Sequence, residues 1–210
     1  MKAIVASGCG ELEVRDVPLP IIHKDWILGK VYSFTLDGVE RAIQRCKILV
    51  PQGRIVGSEG VLKVIELGTD VYHDIRGRLC IVNPLCNEMF IGIDIDGVAA
   101  EYISLPINCL ELVPREYEDK ESLIKLSILK TVSLGNFVAK ESKDKTLLIV
   151  GSGISSYVAA YIAKKKSLDV AFMSLTTPSI MNELGIRCVG KSPETRYFDV
   201  IYVSVTDSRN

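Results

Sequence analysis

Histidine is scarce in this chain of 210 residues: there are only two, His23 and His73, and neither has a cysteine or histidine neighbour at ligand spacing. That shortage narrows both imidazole acid–base chemistry and histidine-rich metal sites. No CxxC pair occurs among the six cysteines, Cys9, Cys46, Cys80, Cys86, Cys109 and Cys188. Scattered cysteines in a chain this long do not make a disulfide framework, so they are expected as free, mostly buried thiols in a reducing cytosol. An excess of one charge is also lacking, with 25 Lys+Arg against 26 Asp+Glu and a net charge of −1. That balance excludes the basic face an electrostatic nucleic-acid binder needs. There is no run of roughly 18 apolar residues to span a membrane. The opening MKAIVASGCG lacks the apolar core of a signal peptide. The expectation is a globular cytoplasmic protein that binds neither nucleic acid nor membrane.

What is present is 48% hydrophobic composition, enough for one or two packed cores. Two textures divide the sequence. Residues 1–114 read as short strands punctuated by glycine and proline. Strands are expected at 2–6 and 12–14 around the turn Gly8-Cys9-Gly10, then at 26–33, 55–67, 78–83, 99–105 and 109–113. One short helix is expected at 38–45. Such a series argues for a partly closed β-barrel. Residues 115–142 are rich in Glu, Lys and Leu at helical spacing and read as linking helices, with Gly135 expected to separate two of them.

Residues 143–210 change again. The continuous apolar run TLLIV at 146–150 reads as a buried parallel strand that runs into Gly151-Ser152-Gly153-Ile154-Ser155-Ser156. An amphipathic helix is expected from Tyr157 to Lys166, then strands at 169–173, 186–189 and 199–205, with a short helix at 180–184. Strand–helix–strand alternation at this spacing predicts a doubly wound parallel sheet, a partial Rossmann domain in an α/β chain.

The glycine loop carries the strongest local chemistry. A dinucleotide site needs a strand ending in a tight turn, a backbone that approaches the pyrophosphate, and a helix whose amide end faces the negative charge. Gly151 and Gly153 match the first two glycines of that pattern. Ser156 stands at the third position, where its hydroxymethyl group is expected to push the helix slightly off the strand. Gly151, Ser152, Gly153, Ile154, Ser155 and Ser156 are therefore the candidate cofactor-binding residues. The acidic residue that would bind the ribose hydroxyls of NAD(H) is absent after the second strand, where Met173-Ser174-Leu175-Thr176-Thr177 stands instead. Ser174, Thr176 and Thr177 leave room for a 2′-phosphate, which favours NADP(H) over NAD(H); a plain solvated loop is the competing reading.

The whole pattern resembles the medium-chain dehydrogenase/reductase family, the zinc-type alcohol dehydrogenases and their relatives, which join a GroES-like barrel to a Rossmann domain. The resemblance is carried by LEVRDVPLP near the start, Gly57-Ser58-Glu59-Gly60, Val64-Ile65-Glu66-Leu67-Gly68 and Gly77-Arg78-Leu79-Cys80-Ile81-Val82. It continues through Asp96-Gly97-Val98-Ala99-Ala100-Glu101-Tyr102-Ile103, Leu112-Val113-Pro114 and the glycine loop. It implies an NAD(P)-dependent oxidoreductase acting on a small carbonyl, alcohol or activated alkene.

The departures bear on mechanism. By the resemblance, the first zinc-ligand cysteine falls on Phe34, three residues before Asp37. The Gly-His-Glu motif becomes Gly57-Ser58-Glu59, and the proton-relay hydroxyl falls on Leu36. Only Glu59 survives, so no zinc is expected. Cys86, after Pro84-Leu85, matches the first of four cysteines in the structural zinc lobe, and the other three are missing. Tyr32, Ser33 and Tyr102 carry hydroxyls, but no catalytic residue is assigned from the sequence. The family's six-stranded sheet would here stop at its fourth strand, Asp199 to Val205, and the apolar edge is expected to be covered by a second copy, by another chain, or by the rest of a longer product of which this chain is a fragment. A degenerate, non-catalytic relative that binds nucleotide or serves as a subunit is the alternative reading.

Overall fold

The computed structural model describes residues 1–117, 119–174, 179–190 and 197–204. The chain forms two compact units, Met1–Lys130 and a second from Thr131 onward.

In the first unit, β1 (Lys2–Gly8) and β2 (Glu11–Asp16) form a hairpin with an irregular register between Ala6 and Gly8. Then come β3 (Trp26–Thr35), α1 (Gly38–Gln44), β4 (Glu59–Leu67), β5 (Leu79–Val82), the short pair β6 (Leu85–Cys86) and β7 (Met89–Phe90), β8 (Tyr102–Pro106) and β9 (Leu110–Leu112). The main sheet has the order β8-β3-β4-β5-β9, all pairs antiparallel. The alternation of Ile27, Leu62, Val64, Cys80, Val82, Ile103 and Leu105 buries one side chain set inside the curved sheet. Close approach of backbones sets several glycines. At Gly68 a Cβ would stand 2.2 Å from the His23 carbonyl oxygen. The expected strand over 55–67 begins only at Glu59, because residues 55–57 bond instead to 97–99: the Gly97 amide donates to the Ile55 carbonyl and the Val98 amide to that of Gly57, at 2.8 and 2.9 Å.

Helix α2 (Lys120–Leu126) is capped by Asp119, whose carboxylate accepts from the Glu121 and Ser122 amides. It is fastened to β3 by Ser33, whose hydroxyl donates to the Leu123 carbonyl at 2.8 Å. The next helix, α3 (Leu129–Glu141), starts after a break at Ser127 and Ile128. This corrects the expected break at Gly135. That glycine lies inside α3, where a Cβ would meet the Ile162 side chain at 2.9 Å, so its role is close helix packing.

In the second unit β10 (Thr146–Gly151), α4 (Ile154–Lys165), β11 (Asp169–Met173), α5 (Ser179–Glu183), β12 (Arg187–Val189) and β13 (Val200–Ser204) form a parallel sheet of order β12-β11-β10-β13. Leu147, Ile149, Val170 and Phe172 face Ala159, Ala160 and Ala163 of α4, and small alanines let helix and sheet approach. Helix α4 ends in a left-handed Ser167, φ 58°, after its lysines. Asp199 ties the start of β13 to β10 by accepting from the Thr146 amide and hydroxyl at 2.8 and 2.7 Å, and these bonds hold its carboxyl below the usual range. Among the described residues, no single helix is long and apolar enough to cross a membrane.

The free-thiol expectation is corrected for four of the six cysteines. Cys9 is bridged to Cys46 and Cys86 to Cys109, with Cα separations of 5.2 and 5.4 Å. Spacings of 37 and 23 residues carry no signal of pairing, which only tertiary proximity supplies. Cys80 and Cys188 are free. Beside the second bridge, Asn87 and Asn108 exchange amide hydrogen bonds of 3.3 and 2.6 Å. Asn87 and Glu88, φ 49° and 61°, make the two-residue turn of the β6–β7 hairpin.

Helix α1 contains a buried carboxyl. Glu40 is 3% exposed, one oxygen accepts from the Asp37 amide at 2.7 Å, and the other has no partner among the described residues. Burial pushes its pKa from 4.5 up to about 7; the backbone amides of Asp37 and Glu40 oppose that shift and the Asp37 charge adds to it. A carboxyl raised in the folded state contributes stability that is complete below its unfolded pKa and is lost as pH climbs through the folded value. Glu40→Gln keeps an acceptor and removes the charge. Its melting temperature should match the parent near pH 5 and exceed it at pH 8, by the equivalent of about 1–3 kcal/mol. Thermal unfolding across that range checks this.

Candidate nucleotide site and substrate-side loop

The β10–α4 turn places the six loop residues in one short arc. Gly151 ends β10 at φ 151°, and a Cβ there would lie 2.3 Å from both the Ser156 hydroxyl and the Ser204 carbonyl oxygen. Glycine is therefore required by packing as well as by backbone conformation. Gly153 is the N-cap of α4, at φ −94°. The helix begins at Ile154, three residues earlier than expected, so Ile154, Ser155 and Ser156 form its first turn. The Ser156 and Tyr157 amides donate to the Gly153 carbonyl at 3.1 and 3.2 Å. The amides of Ile154 and Ser155, at the head of the helix, have no acceptor within it, and the helix N-terminus there is the kind of position that favours an anion.

Ser156 is fully buried and its hydroxyl reaches the Ser204 carbonyl at 3.5 Å. The expected displacement of the helix is met by the missing side chain at Gly151, which leaves the pocket that this hydroxyl fills. Gly153 differs: among the described residues nothing lies within 4 Å of where its Cβ would stand. Neither conformation nor internal packing calls for glycine at 153. An open cradle at the amide end of a helix after a parallel strand has the form a dinucleotide pyrophosphate requires, so the residues present fit an NAD(P)(H) cofactor.

At the end of β11, Met173 and Ser174 stand where an acidic residue would mark the ribose. The Ser174 hydroxyl is buried and has no partner among the described residues. The other two candidates there, Thr176 and Thr177, lie outside the described residues.

In the first unit, the β3–β4 ladder sets Phe34 opposite Gly60 and Thr35 opposite Glu59. Phe34 and Ser58, the two positions that resemblance assigns to zinc ligands, thus lie at one end of one strand pair. Phe34 is 38% exposed and Ser58 4%. Gly57, at φ 93°, packs against the Ala99 backbone, 2.9 Å from its would-be Cβ, which fixes Ser58 inward. A phenyl ring, a hydroxyl and one carboxylate are not a zinc donor set. Among the described residues, no three His, Cys, Asp or Glu side chains cluster at metal-binding range. Tyr32, Ser33 and Phe34 line an open groove of about 540 Å³. The Ser33 hydroxyl is already committed to α2.

No family model matches the chain. It is 26% identical over 230 residues to an L-threonine 3-dehydrogenase of Chelativorans sp. strain BNC1, covering 96% of this chain and 65% of that protein. It is 25% identical over 158 residues to a formaldehyde dismutase of Pseudomonas putida, covering 59% of this chain and 39% of the relative. With an alcohol dehydrogenase of Cupriavidus necator it shares 30% identity over 101 residues, 48% of this chain and 28% of that one. The chain spans less than two thirds of the length of these relatives. Among solved structures, a dehydrogenase of Sinorhizobium meliloti 1021 described as zinc-binding and bound to NADP superposes with a TM-score of 0.77 at 19% identity, over 97% of this chain and 69% of that one. Alcohol dehydrogenase TADH from Thermus sp. ATN1 gives 0.76 at 18% identity, over 98% and 70%.

Gly151→Ala tests the turn. The added methyl has no free volume between Ser156 and Ser204, and the mutation should destabilise the second unit by about 2–4 kcal/mol in denaturant melts. Ser156→Gly should lose less, because it empties the pocket without a clash.

Proposed function

We propose that this chain, whose sequence and structural neighbours are members of the medium-chain dehydrogenase/reductase family and whose fold is theirs, is a zinc-independent, NAD(P)(H)-dependent oxidoreductase-like protein acting on a small carbonyl, alcohol or activated alkene. The observation that carries the reading is the open cradle at Gly153 beside the free amides of Ile154 and Ser155. A bound nicotinamide supplies the hydride chemistry. The chain's own residues do the holding: Gly151 closes the turn, Gly153 admits the pyrophosphate, and the head of α4 offers backbone donors to it. NADP(H) is preferred to NAD(H), supported by the absence of an acidic residue at Met173 and Ser174. Zinc independence is supported by Phe34 and Ser58 at the ligand positions.

The same residues favour a second reading, a nucleotide-binding relative without turnover. Phe34, Leu36 and Ser58 leave the substrate-side loop with neither the metal ligands nor the relay hydroxyl that resemblance would supply. A partner for the sheet belongs to either reading. Among the described residues strand β13 lies at one edge of the parallel sheet, and the Ile201 and Val203 side chains are 58% and 56% exposed on its face. The backbone groups along that edge are open to pairing by a second copy of the chain or by another polypeptide.

Fluorescence titration with NADPH and NADH tests the cofactor. Saturable NADPH binding is expected, weakened about tenfold or more by Gly153→Ala with the melting temperature unchanged. No binding at millimolar NADPH would end both nucleotide readings. Turnover of an aldehyde, quinone or enone panel separates enzyme from binding module, and stoichiometric zinc in protein purified without chelator would overturn zinc independence. Light scattering checks the edge: an oligomer is expected, and Val203→Lys should shift it toward monomer.

A further inference from the structure

The two disulfides of the first unit differ in accessibility. Cys86 and Cys109 are 9% and 0% exposed and belong to the barrel core. Cys9 is exposed and Cys46 half-buried. Cys9 stands at the crown of the β1–β2 turn between Gly8 and Gly10; among the described residues nothing lies within 4 Å of a Cβ placed on Gly8, while one on Gly10 would meet the Gln44 carbonyl at 3.7 Å. The sulfur of Cys9 is thus approached across bare backbone.

Cys46 is the first residue past Arg45, the C-cap of α1, and takes φ 59° while the Lys47 amide donates to the Ala42 carbonyl at 2.8 Å. That left-handed position suits glycine or asparagine, so a cysteine there is backbone strain held in place by what its side chain is tied to. Helix α1 has seven residues, and its buried face consists of Ala42, Ile43 and the carboxyl of Glu40. Ile43 packs with Ala6, Val56 and Ala99, and Val39 lies partly buried against them, so α1 is docked by a small apolar face that also carries an ionisable group. The bridge to Cys9 therefore supplies the covalent hold on one end of α1, and the other end follows directly on Phe34, Thr35 and Leu36.

We propose that the Cys9–Cys46 disulfide is a redox latch, opened by a dithiol reductant, that holds α1 and the adjoining residues 34–37 in place, while Cys86–Cys109 is a permanent bridge. One thiolate of the dithiol attacks the Cys9 sulfur. The protein S–S bond breaks, a mixed disulfide forms, and Cys46 leaves as a thiolate that takes up a proton. The second thiol of the reductant displaces Cys9, so that the reductant ends as a disulfide and its two electrons leave the protein with two thiols. Cys80 takes no part, since burial pushes its thiol up to about 11.

The test uses the full chain, treated with dithiothreitol under native conditions, alkylated at timed intervals and mapped by peptide mass spectrometry. Cys9 and Cys46 should label together, about tenfold or more ahead of Cys86 and Cys109. Hydrogen exchange of residues 38–50 should then rise while the five-stranded sheet stays protected. Cys9→Ser should show the same loosening without reductant, and no further change in that segment when reductant is added. The latch is overturned by alkylation of all six cysteines in untreated protein, by simultaneous or reversed reduction of the two bridges, or by unchanged exchange over 38–50 once Cys9 and Cys46 are labelled. None of these readouts depends on nucleotide binding.

Discussion

Three elements meet at Gly151 with no room for a side chain. At the end of β10, the place a Gly151 side chain would take lies against the Ser204 carbonyl at the end of β13 and the Ser156 hydroxyl from the first turn of α4. That constraint brings the strand into the helix abruptly enough for the head of α4 to lie at the sheet's carboxyl edge. The apolar face behind it, Leu147 and Ile149 against the alanines of α4, holds the helix there. Burial supplies the energy for this arrangement, while the glycine decides its geometry. The position of the Ile154 and Ser155 amides follows from both.

The first unit depends on a different economy of space. Its sheet brings Phe34, Ser58 and Glu59 to one end of the β3–β4 pair and then offers little polar chemistry there. Its hydroxyls are used for holding: Ser33 fastens α2, and Thr35 lies 3.2 Å from the Ser127 hydroxyl. Where resemblance expects a cysteine-rich lobe after Pro84-Leu85, there is a two-residue turn, a disulfide and a reciprocal amide pair. A covalent bond and two hydrogen bonds tie the β6–β7 hairpin to residues 108 and 109.

Much of this architecture was legible in the order of residues. The short apolar runs between glycines and prolines in the first half became the sheet, and the uninterrupted run at 146–150 became the central parallel strand, because strand burial writes itself into local pattern. Boundaries were less legible. Residues 55–57 begin with the β-branched Ile55 and Val56 yet leave the β3–β4 ladder to bond with 97–99, a choice made by distant partners. Gly135 reads locally as a helix breaker, but its use is to admit Ile162. In the site, Gly151 and Gly153 were both visible as motif members, while the difference between them was not: one is filled around and the other stands open.

The amino-acid sequence by itself determined the two-part plan, the strand–glycine–helix turn and the lack of zinc-type side chains at Phe34 and Ser58, since each is a matter of local pattern or residue identity. Tertiary structure decided which cysteines meet, how deeply Glu40 is buried and which glycine faces empty space. Those properties depend on atoms far apart along the chain, and only the packed fold brings them within a few ångströms of one another.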